Sequence, residues 1–210
     1  MYAVFPFLKY LFPTLETLIT PMLIVVVFLV LRKLYFKEWR KTILYILFSL
    51  YLVVVYRVTA LPDLMSFEFN PRFWLIPFYG MHDDALNCML NVFLFIPLGV
   101  FLPALWRDLF SFKNTMIWAF SITLLVELMQ IFCPRLTDIN DIITNLTGAF
   151  IGFCILRLIT KFFPKLFKQK FKKRELVMVF GSTFFLLFFF DPVLQHLIND
   201  LGNSVMKMQK

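Results

Sequence analysis

The sequence predicts an all-α fold: a polytopic membrane helix bundle with about six transmembrane helices and a re-entrant or interfacial segment between helices two and three. Three observations predict it. Of 210 residues, 60% are hydrophobic, 29 are Phe and only 16% are charged, more apolar surface than a soluble domain of this size can bury. The apolar residues fall in several runs of about 18 or more, the length that crosses a bilayer. The alternating pattern of an outer-membrane barrel strand is absent.

The spans are read in order at about 14–31, 43–60, 86–106, 115–132, 141–160 and 176–194. The first contains Pro21, expected to kink it. Residues 1–13 lack the basic start and small-residue cleavage site of a signal peptide, so the first span is expected to be retained. The second span is closed by Arg57. The third carries Asn87 and Asn91, four apart on one face, and then Pro97-Leu98-Gly99, read as a kink or break. Glu127 and Gln130 lie three apart near the end of the fourth. Gly148 and Gly152 in the fifth form a Gly-x-x-x-Gly, a close-packing surface. Asp191–Pro192 is expected to break the sixth. No repeat or linker divides the chain, which reads as a single membrane domain over residues 1–210.

Charge sets an orientation. Net charge is +8. The link after span one (Arg32, Lys33, Lys37, Arg40, Lys41, Glu38) sums to +4, and the link after span three (Arg107, Asp108, Lys113) to +1. The link after span five (Arg157, Lys161, Lys165, Lys168, Lys170, Lys172, Lys173, Arg174, Glu175) sums to +7. The alternate links, 57–84 and 135–141, sum to −2 and −1. The positive-inside rule then puts the basic links in the cytoplasm and both termini outside. The basic run anchors spans at anionic headgroups, and no nucleic-acid partner is expected. Cys88 and Cys133 both fall near the outer end and are close enough in depth for a disulfide, although buried thiols are the plainer expectation.

An acid inside a membrane helix costs about 2.5 to 3.5 kcal/mol, so intramembrane acids are functional candidates. Asp138, Asp141, Asn145, Gly148 and Gly152 are spaced three, four, three and four apart, one stripe of one helix. The loop joining spans four and five is short, so those spans are antiparallel neighbours. Glu127, Asn91 and Asn145 then reach one depth near the outer side, with Arg57 and Arg135 close by. The inner halves of these helices are apolar. A pocket opening outward is therefore expected, and not a path across the membrane. The link 61–85 is rich in Phe, Trp, Tyr and Pro. Two readings of it stand: a re-entrant or surface segment capping the pocket, or an aromatic belt that only anchors the protein.

These residues resemble a known family. Glu127-x-x-Gln130, followed by Arg135-x-x-Asp138-x-x-Asp141-x-x-x-Asn145-x-x-Gly148, is similar to the signature of the VanZ-like membrane proteins. Asn87-x-x-x-Asn91 with Phe95-Ile96-Pro97-Leu98-Gly99, and Ile76-Pro77-Phe78, resemble its other motifs, over about residues 45–160. In that pattern an Asn often precedes the Leu-Ile-Pro-Phe stretch. Here Trp74 takes the place, and Asn70 is the alternative. The resemblance implies a bacterial cell-envelope protein of the cytoplasmic membrane. Members are named for low-level resistance to teicoplanin, a lipoglycopeptide acting on cell-wall precursors. It also implies, more distantly, kinship to enzymes that exchange or hydrolyse lipid headgroups.

The chemistry expected at such a pocket is the transfer or hydrolysis of a lipid headgroup. Arg57 and Arg135 would hold a phosphate, with Asn87, Asn91, Gln130 and Asn145 as further substrate-binding groups. Glu127 suits an acid/base role, and Asp138 and Asp141 a nucleophile or base. No cofactor is expected, a divalent cation on Asp138 and Asp141 being the alternative. His82 is a minor general-base candidate, its other reading a solvated loop histidine. The expected partner is a membrane lipid or lipid-linked precursor. The alternatives are a non-catalytic lipid binder or translocator, a scaffold for envelope machinery, and an Arg–carboxylate–amide network that only locks the helices together.

Overall fold

The computed structural model describes residues 15–163 and 172–208. The readings made on residues 1–13, Thr14, Lys165, Lys168 and Lys170 lie outside the described residues. Among the described residues seven α-helices follow one another: α1 (Leu15–Leu31), α2 (Trp39–Val58), α3 (Ala85–Leu105), α4 (Phe112–Gln130), α5 (Ile139–Phe162), α6 (Lys173–Phe185) and α7 (Asp191–Met208). A π turn, Arg32–Phe36, extends α1, and another, Leu186–Phe190, joins α6 to α7. Among the described residues six helical stretches are long and apolar enough to cross a membrane, the sixth running Arg174–Ile198. This is an all-α, multi-pass membrane protein. Met22, Val26, Phe93, Leu158 and Val177 are all more than half exposed and form its lipid-facing surface.

Asp191–Pro192 does not break the sixth span. The helix runs through it, widened just before into the π turn Leu186–Phe190. Pro192 has no N–H to give the carbonyl of Phe188, four residues earlier. The backbone N–H of Leu64 takes that carbonyl instead, at 3.0 Å, and so ties the link after α2 to this bend. Pro97-Leu98-Gly99 does not break α3 either, which is continuous over Ala85–Leu105. Gly99 serves packing.

The tightest helix pair is α3 with α5. A Cβ at Gly148 would overlap the carbonyl of Val92, one at Gly152 that of Ile96, and one at Gly99 that of Ala149. The Val92–Gly148 and Ile96–Gly152 contacts advance in the same direction on both helices, so the pair is parallel. Only hydrogen at these positions allows such an approach. The antiparallel neighbour α4 packs against α5 as well. At the end remote from the 59–84 link, Tyr45, Phe48 and Trp106 fill the bundle, with ring centroids 5.5 Å apart for Phe48 and Trp106. There the Tyr45 hydroxyl donates to Glu175 at 2.6 Å.

The 59–84 link holds no helix. Phe73–Trp74 forms a two-residue strand, β1, pairing in parallel with β2, Thr137–Asp138, in the turn between α4 and α5. Around it Glu68 N–H donates to the Phe132 carbonyl (3.0 Å) and Asn70 N–H to that of Ile131 (2.9 Å). Its rings face outward: Phe69, Phe73, Phe78 and Tyr79 are all more than half exposed. The link is a strap laid over the ends of α4 and α5.

Candidate functional site

Glu127 is only 2% exposed on α4, three residues from its end. Its Oε2 accepts the backbone N–H of Asp138 at 3.1 Å, and its own carbonyl accepts the Thr137 hydroxyl at 3.3 Å. The turn after α4 therefore folds back onto the last helical turn and occupies a carbonyl that the helix leaves open. Asp138 is the N-cap of α5, accepting the N–H of Asn140 at 2.8 Å. Asp141 lies one turn into α5 and accepts from Asn91 of α3 at 2.7 Å. That bond sits at the head of the glycine-packed pair. Arg135 is within electrostatic reach of both Glu127 and Asp141, and its guanidinium donates to the Val58 carbonyl at 3.2 Å. The adjoining Cys133 is buried in the same turn, and burial pushes its thiol up from the ordinary range.

The remaining candidates spread around this centre. Asn145 donates to Thr123 of α4 at 2.7 Å, and Gln130 donates to the Thr59 carbonyl at 3.1 Å. Asn145 Oδ1 and Gln130 Oε1 are buried and accept from no donor among the described residues. Asn87 sits at the rim, donating to Asp84 at 2.6 Å. Arg57 departs from expectation. It is ion-paired with Asp191 of α7, which also accepts from Thr20 of α1. The guanidinium at the end of α2 meets an acid of the last helix. His82 is fully exposed beside Asp83, as a solvated loop histidine. The three cysteines Cys88, Cys133 and Cys154 are free thiols. Asn70 accepts from Arg72 within the strap at 3.1 Å.

One residue central to the site was not singled out from sequence. Asn140, 3% exposed, accepts the N–H of Phe78 at 2.7 Å and donates to the Tyr79 carbonyl at 3.1 Å. Phe78 has φ +65°, a left-handed backbone that a bulky residue rarely adopts. Asn140 holds the strap in that strained shape. Its signal was a third polar residue inside the Asp138–Asp141 motif, off the i, i+3 stripe.

Strap and helix ends together enclose an open cleft of about 220 Å³, walled by Trp74 and Tyr79 on one side and by Asp84, Asp138 and Asp141 on the other. A separate apolar crevice of about 90 Å³ lies between α2, α4 and α6, among Leu52, Val55, Val126, Phe184 and Leu187. Among the described residues no three His, Cys, Asp or Glu groups gather closely enough to hold a metal ion. A family model described as VanZ/LLP1 matches residues 23–160, reaching further toward the N-terminus than the motifs at 45–160. The chain matches no curated protein and no solved structure.

Proposed function

Because the chain belongs to the VanZ/LLP1 family, whose members are envelope proteins linked to glycopeptide resistance, we propose that it acts on the headgroup of an outer-leaflet phospholipid or lipid-linked cell-wall precursor. Tolerance to teicoplanin-type glycopeptides follows from that action. One observation carries this reading: polar groups of α3, α4 and α5 gather under an aromatic strap at one end of an otherwise apolar bundle. A charged headgroup can enter there while its tail stays in lipid. The orientation rests on the basic links, which leave the bundle at the other end and favour the cytoplasm for it. The site end and both termini then face outward.

In this reading Glu127 is the acid/base and Asp141 the group nearest the reacting bond. Each lies against a neutral amide or backbone donor, not in a tight ion pair. A second reading has its own support. Asp138 serves as a helix cap, and Glu127 ties the turn to α4. A non-catalytic lipid binder or translocator would need these acids for shape alone. Lipids co-purifying with the protein and with its Glu127→Gln variant, compared by mass spectrometry, separate the two. Accumulation of an unprocessed lipid on the variant supports catalysis. The same lipids on both, with tolerance retained, support the binder.

A further inference from the structure

The open cleft carries an imbalance. Asp84, Asp138 and Asp141 each commit Oδ1 to a neutral donor: the Asn87 amide, the Asn140 N–H and the Asn91 amide. The second oxygen of each accepts no hydrogen bond among the described residues, and none of the three forms an ion pair there. Arg135 acts on Asp141 only at longer range, and Arg57 is held elsewhere by Asp191. Among the described residues no Lys or Arg lines this cleft, so its three carboxylates face one another's charge with no protein cation among them. Facing the acids stand Trp74 and Tyr79, ring centroids 5.5 Å apart and tilted by 37°. Aromatic faces attract cations. The acids are spread along the cleft and form no metal-chelating set.

We infer that the cleft receives the primary ammonium group of a lipid headgroup, held by the free oxygens of Asp84, Asp138 and Asp141 against the rings of Trp74 and Tyr79. A phosphate was the sequence expectation, but the cations assigned to it do not line this cleft. An ammonium brings positive charge and N–H donors to carboxylates that no cation of the cleft meets among the described residues. A quaternary ammonium supplies only the charge and should bind less well. The inference rests on the lipid-headgroup reading above and names the headgroup class.

The test uses the purified full chain in detergent, titrated by thermophoresis with short-chain phosphatidylethanolamine, phosphatidylcholine and phosphatidylglycerol, and with free ethanolamine. Phosphatidylethanolamine is expected to bind about tenfold tighter than phosphatidylglycerol, with phosphatidylcholine between them. Trp74→Leu should weaken phosphatidylethanolamine about fivefold, and the rim substitution Asp84→Asn about threefold, without lowering the melting temperature. Equal affinity for phosphatidylglycerol, or unchanged affinity in both variants, overturns the ammonium assignment and leaves the lipid reading standing. Free ethanolamine binding as tightly as the lipid keeps the ammonium assignment and removes the lipid one.

Discussion

The polar clusters around Asp191 and around Asp141 are built differently. Around Asp191 every contact closes: Oδ1 accepts from Thr20, and Oδ2 accepts from Arg57 and, at 3.0 Å, from Gln195. That cluster joins α1, α2 and α7, and Thr20, Asp191 and Gln195 fall outside the family match at 23–160. Around Asp141 the contacts stay open. Among the described residues three carboxylates keep an oxygen without a donor, and two buried amide oxygens, on Gln130 and Asn145, have none. A satisfied buried network fastens helices. An open one leaves carboxylate oxygens that a ligand could meet.

The comparison breaks first at Asp191. Asp191→Leu leaves Arg57 without its partner and should destabilise the protein by about 3 to 5 kcal/mol, read as a large fall in melting temperature. Adding Arg57→Leu should restore much of it, because no charge is then orphaned. If the double variant stays as unstable as the single, Asp191 is more than a partner for Arg57. Next comes the glycine seam that places Asn91 against Asp141. Gly148→Leu forces a side chain onto the Val92 carbonyl and should cost about 1 to 3 kcal/mol, with loss of tolerance following the loss of fold. The smallest expected stability effect is at the cap: Asp138→Ala should cost about 1 kcal/mol and Asp138→Asn almost nothing, in thermal melts.

Much of this was legible in the chain. Run length and composition gave the six spans, and i, i+3, i+4 spacing placed Asn91, Glu127 and Asp141 at one end. Helical periodicity is a local property, so it survives without knowledge of neighbours. What failed depends on which helix lies beside which. Spacing alone assigned Arg57 to the pocket, since nothing in span two says that α7 lies nearer. Asp191 was read through Pro192 as a break. Yet an acid in the last span and an Arg closing the second are the pair that charge complementarity within a membrane favours. The α3–α5 seam was half visible: the glycines of α5 were read as packing, but Gly99 beside Pro97 looked like a kink. Asn140 was passed over because its task is to hold the strap, a contact 62 residues away in sequence.

The central claim is that the open cluster is for function and the closed one for architecture, and Asp141→Asn tests it most directly. Asp138, not Asp141, is the α5 cap, and an amide in place of the Asp141 carboxylate can still meet Asn91. Stability should therefore stay within about 0.5 kcal/mol of the parent, as for substitutions that spare packing and caps. Glycopeptide tolerance, measured in cells expressing equal amounts of folded protein, should be lost. Full tolerance with unchanged melting would contradict the account and make Asp141 a structural residue like Asp191.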